Sequence, residues 1–163
     1  MKRETFRRVL ALLAVVAAAG MIYFFSAQTA SSSSAISGSL TEELLRLFVR
    51  GYDALSAQAQ RAYRARLELI VRKLAHFSEY ALLALLAAHC LHLWFPKARV
   101  KTCALLAWAL STLYAYTDEW HQRFVSGRGP ALLDVGIDSA GALAGVLIAA
   151  LLMVIVGRRK KKQ

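Results

Sequence analysis

The run "VGIDSAGALAGVLIAALLMVIV", Val135 to Val156, constrains this chain more than any other stretch. It is apolar throughout apart from its opening Asp138 and Ser139. A helix crosses a bilayer with about 20 mostly apolar residues, and this run is long enough to do so. A second run of that kind is "VLALLAVVAAAGMIYFF", Val9 to Phe25. Two shorter ones, Ala81–Phe95 and Thr102–Thr117, reach spanning length only if their polar ends are counted. The sequence therefore predicts an all-α integral membrane protein of four transmembrane helices, over about 9–26, 72–95, 102–119 and 134–157. They form one domain covering 1–163, with an external loop at 27–71.

Composition agrees with this class. Hydrophobic residues make up 58% of the chain, and 21 Lys+Arg stand against 10 Asp+Glu. A nucleic-acid reader carries its basic surplus on a soluble fold, whereas many of these cations flank apolar runs. No nucleic-acid partner is expected; membrane lipids are. Cys90 and Cys103 lie within apolar segments and read as small buried hydrophobes. The basic start "MKRETFRR" suits a signal peptide, but the apolar run is longer than a signal core and reads as an uncleaved anchor.

Basic residues also orient the spans. Lys2, Arg3, Arg7 and Arg8 precede the first, Lys97, Arg99 and Lys101 follow the second, and "GRRKKKQ" closes the chain. An even number of spans puts all three groups on one side. That side is expected to be the cytoplasm, in a bacterial inner membrane, with both termini inside and loop 27–71 outside. Within that loop, Ser39 and Glu42 have capping-box spacing and mark a helix start. Leu44, Leu45, Phe48 and Tyr52 recur as one apolar stripe, which suits an interfacial helix. A second loop helix starts near 55–60 and runs towards the next span.

The polar residues at the span ends share faces. A helix turns about 100° per residue. Arg72, His76, Glu79 and Leu83 then make one stripe, and Lys73, Phe77 and Tyr80 the adjacent one. Ser111, Tyr114, Asp118 and Gln122 make a stripe at the end of the third span, with Glu119 about 100° away. Asp134, Asp138, Gly141 and Gly145 make a stripe on the fourth. Gly141 and Gly145 form the small-xxx-small pattern that lets transmembrane helices approach closely. Under four spans these groups meet at one outer end, together with Arg128. They form either a polar cup for a ligand or a set of ion pairs, such as Lys73–Asp138 or Arg72–Glu119, that ties helix ends together. No H-E-x-x-H or G-x-S-x-G motif is present, and neither a metal nor a cofactor is expected.

"RKLAHFSEYALLALL" followed by "TDEWHQRFVSGRGPALLDVGIDSAGALAG" resembles the VanZ-like family of bacterial membrane proteins. The family's K-x-x-H-F-x-E-Y, D-E-x-x-Q-x-F, R and D-x-x-x-D/N-x-x-G pattern falls on Lys73, His76, Phe77, Glu79, Tyr80, Asp118, Glu119, Gln122, Phe124, Arg128, Asp134, Asp138 and Gly141. Ser26 and Gln28, after the first span, are similar as well. The resemblance implies a cell-envelope protein linked to reduced susceptibility to teicoplanin-type glycopeptides. It implies a ligand-binding polar cluster of Lys73, His76, Glu79, Tyr80, Asp118, Glu119, Gln122, Arg128, Asp134 and Asp138, with Arg72 and Tyr114 secondary. The partner would be a lipid-linked envelope precursor or a glycopeptide. The alternative is a membrane enzyme that modifies such a precursor at the same site.

Overall fold

The computed structural model describes residues 2–28, 30–126 and 131–160. Its order is α1 (Lys2–Ser26), α2 (Ala30–Phe48), a 3-10 turn (Tyr52–Ala54), α3 (Ala57–Trp94), α4 (Val100–Gln122) and α5 (Leu132–Lys160), with no strand among the described residues.

Three of these helices, α1, α3 and α5, are long and apolar enough to cross a membrane. This corrects the count of four. Helix α4 has the length, but Lys101, Thr102, Ser111, Thr112 and the "YAYTDEWHQ" end dilute its apolar content. It nonetheless packs as a full member of the bundle. Its buried side is small and polar: Cys103, Ala107, Ser111, Ala115, Asp118, Glu119 and Gln122.

Helix α3 contradicts the separate-helix picture of the loop in one respect. The helix capped by Ser56, whose Oγ accepts from the Ala59 N–H at 3.3 Å, continues without a break to Trp94. At 1.5 Å per residue it is roughly 57 Å long, nearly twice a hydrocarbon core of about 30 Å. Its first turns therefore form a stalk, against which α2 folds back. Gly51, at φ 75°, supplies the left-handed turn that reverses the chain between them. Gln60 Nε2 then donates to the Tyr52 carbonyl at 3.1 Å and the Leu55 carbonyl at 3.3 Å. Arg64 bonds Glu42 across the hairpin at 2.5 Å.

Helix α2 begins at Ala30, nine residues before the expected start at Ser39, whose side chain lies outside the described residues. Serine costs only a few tenths of a kcal/mol against alanine in a helix, so the Ser-rich stretch joins it. Glu42 pairs with Arg46 and Arg64. The apolar stripe also divides. Leu45 and Tyr52 are buried, whereas Phe48 is 77% exposed.

The bundle is sealed by α3 against α5. A Cβ on Gly141 would lie 2.9 Å from the Phe77 carbonyl carbon, and one on Gly145 2.7 Å from that of Ala81. Both contacts advance by four residues on each helix, so α3 and α5 run parallel with backbones nearly touching. Contacts fix the other directions. Arg8 of α1 donates to the carbonyl of Leu93 near the end of α3 at 3.0 Å, and Tyr114 of α4 donates to the Ala19 carbonyl at 2.8 Å. Trp108 donates to the Ser139 carbonyl at 3.2 Å, and Thr112 and Ser139 hydroxyls meet at 2.9 Å. So α1 and α4 point one way, α3 and α5 the other. The start of α1, the 95–99 turn and the end of α5 share one end of the bundle.

Outward-facing side chains on α1 and α5 are overwhelmingly apolar, among them Leu10, Leu13, Phe24, Leu147 and Leu151. A soluble monomer does not expose apolar area on this scale. Surfaces of this kind suit contact with lipid.

Candidate functional site

The opposite end of the bundle gathers the polar residues. Each arrives on a helix face that also carries small residues, so side chains from four helices converge where the backbones are close. Tyr80, at 0% exposure, sits on α3 one turn before Leu83 and Ala84, which are also buried. Its ring faces that of Tyr114 with centroids 6.2 Å apart. Asp118, Glu119 and Gln122 are buried at the end of α4, and Asp138 near the start of α5. Ser26, the last residue of α1, is fully buried beside them.

A chain of hydrogen bonds organises one half of this cluster. Gln122 Nε2 donates to Ser26 Oγ at 2.9 Å and to Asp118 Oδ2 at 3.3 Å. The terminal serine of α1 is thereby locked to the last turn of α4. Ser26 entered the sequence reading only through a family resemblance, yet a hydroxyl closing an apolar run was a local sign of it. Glu119, which the helical wheel sets about 100° from the stripe of Asp118 and Gln122, turns inward as well. Its Oε1 accepts the Ala131 N–H at 2.5 Å, just before α5, and so anchors the chain entering that helix.

The other half lies between α3 and α5. Lys73 pairs with Asp134, both part-exposed. The pairing with Asp138 considered from sequence does not form; Asp138 lies one turn deeper, below the reach of the lysine partner. His76 Nδ1 and Glu79 Oε2 are 3.8 Å apart on the same face of α3. Arg128 lies outside the described residues. Phe77 contributes its backbone to the Gly141 contact, and Phe124 is 77% exposed.

Three buried polar atoms stand out. Asp118 Oδ1, Asp138 Oδ1 and the Tyr80 hydroxyl have no hydrogen-bond partner among the described residues. Asp118, Asp134, Glu119 and Glu79 all lie within electrostatic range of the Asp138 carboxyl. Buried polar groups are ordinarily bonded, and each exception asks for an explanation. Here the exceptions cluster, and two of the three are carboxyl oxygens that only accept when ionised. At the same end of the bundle a cleft of about 100 Å³ opens between α4 and α5, lined by Tyr116, Glu119, Trp120, Arg123 and Val135. The Arg123 guanidinium stacks on Trp120 at 4.3 Å from the ring centre. Among the described residues, no three His, Cys, Asp or Glu side chains group as a metal site.

Fold and site together define an all-helical protein with three membrane-span-like helices and a buried, acid-rich polar cluster at one end of its bundle. The VanZ/LLP1 family model matches residues 10–153, and the chain belongs to that family. No curated protein and no solved structure matches it.

Proposed function

We propose that this chain is a VanZ-like protein of the bacterial cytoplasmic membrane that lowers susceptibility to teicoplanin-type glycopeptides through its polar cluster. The basic residues at the start of α1 and in the 95–99 turn support a cytoplasmic position for that end. The cluster then opens outwards, where envelope precursors and glycopeptides are found. Labelling of Ser126→Cys, an exposed position after α4, checks the orientation. An impermeant thiol reagent should modify it in intact cells; modification only after permeabilisation would reverse the topology.

The observation that carries the reading is the set of unpartnered acceptors, Asp118 Oδ1, Asp138 Oδ1 and the Tyr80 hydroxyl. They suit a ligand that brings donors, such as an ammonium or hydroxyl group. Lys73, Arg72 and Arg128 would meet anionic groups of the same ligand at the rim, and His76, Glu79, Glu119, Gln122 and Asp134 would orient it. Expression in a susceptible bacterium should raise the inhibitory concentration of teicoplanin several-fold over an empty vector. An unchanged value would remove the glycopeptide role.

The second reading is an enzyme that modifies a lipid-linked envelope precursor. It draws on His76 and Glu79, 3.8 Å apart, as a base and its orienting carboxylate. Mass spectra of lipid-linked precursors decide it: a new or lost mass on expression supports catalysis, and an identical profile leaves binding.

A further inference from the structure

We propose that the groove between α4 and α5, at the end of the bundle away from the polar cluster, is a binding site for one anionic phospholipid. Val100, Ala104, Leu105 and Trp108 line it from α4, and Leu143, Val146, Leu147, Ala150 and Val154 from α5. Its volume is about 430 Å³, within the range of roughly 300–1,000 Å³ typical of small-ligand sites.

The groove follows from how α5 is held. Gly141 and Gly145 draw α5 onto the backbone of α3. The bonds from Trp108 and Thr112 to Ser139 join α4 to α5 only above that level. Below Trp108 the two helices have no polar tie among the described residues, and an apolar channel is left. From Trp108 to Val100 it spans roughly 12 Å of helix, a length that takes a run of methylene groups.

Charge at its mouth selects the occupant. Lys101 lines the groove, is exposed, and forms no ion pair among the described residues. Lys97 and Arg99 are exposed in the adjoining turn. Glu4 is the sole carboxylate among the described residues at this end, and it pairs with Arg7 at 3.3 Å. An acyl chain in the groove would set its headgroup beside Lys101, where one basic residue favours an anionic over a neutral lipid by about fivefold.

Trp108 is the built-in reporter. With Trp94→Phe and Trp120→Phe it becomes the sole tryptophan, and the chain is placed in phosphatidylcholine nanodiscs containing a brominated lipid. Brominated phosphatidylglycerol should quench it at least about twofold more than brominated phosphatidylcholine at equal fraction. Lys101→Glu should erase that excess and Lys101→Arg preserve it. Equal quenching by both lipids would overturn the proposal and leave an ordinary lipid annulus. Absent quenching, with Leu147→Cys cross-linking two chains, would overturn it in favour of a second copy covering the groove. Native mass spectrometry of the unsubstituted chain with phosphatidylglycerol is independent of those variants. One retained lipid per chain is expected, and none would contradict the site.

Discussion

Replacing Gly145 with alanine should cost about 3 kcal/mol, the upper range for inserting a methyl into a closed core. A Cβ there lies 2.7 Å and 2.9 Å from the Ala81 carbonyl carbon and Cα, backbone atoms that cannot rotate away. The α3–α5 seam must open as a unit, which also shifts Tyr80, the neighbour of Ala81, and Asp138, two turns nearer the polar end. Gly136→Ala is the matched control, since nothing lies within 4 Å of a Cβ at that position. It should be neutral or slightly stabilising, because alanine is the better helix former. Thermal melting in detergent and membrane abundance should separate the two variants clearly. Equal behaviour would mean that α3 and α5 are not in backbone contact.

Gln122→Leu should be the next most damaging change. Leucine has similar bulk, so the packing persists while the donor to both Ser26 Oγ and Asp118 Oδ2 is lost. A buried acceptor left unsatisfied costs about 1–3 kcal/mol, more when charged. Asp118 already has one unpartnered oxygen, and this change would strand the second. The melting midpoint should fall by about 5 °C, as expected for some 2 kcal/mol in a chain of this size. Ser26→Ala should cost less, since Gln122 keeps its bond to Asp118. If Ser26→Ala were the worse of the two, the hydroxyl rather than the amide would organise this corner.

Much of the fold was legible because two periodicities write it plainly. Apolar length marked α1 and α5, and the Gly141–Gly145 spacing marked a close helix contact. Helical wheels placed Asp118, Gln122 and Asp138 on single faces, and those residues are buried. The failures are equally physical. The wheel gives a direction but not what lies there, so it could not say that Glu119 meets the Ala131 N–H or that Lys73 reaches Asp134. Composition alone assigned α4 to the membrane by counting its polar end, where the apolar content is too diluted. A capping box at Ser39 suggested a start that the Ser-rich stretch, itself a tolerable helix former, overran. The continuity of α3 through Arg61–Arg72 was hidden by its charge, which in water is no obstacle to a helix.

On the proposed function, the buried polar cluster binds the ligand and is more than a set of helix ties. Asp138 tests it most directly. It is 4% exposed, and its Oδ1 is unpartnered among the described residues. Asp138→Asn preserves shape while removing a carboxylate. Teicoplanin susceptibility and membrane abundance should be measured together, in cells expressing the variant, the unsubstituted chain or neither. Abundance should equal that of the unsubstituted chain, and susceptibility should equal that of cells with no chain at all. Full protection from the variant at equal abundance would contradict it, and so would protection lost only in step with abundance.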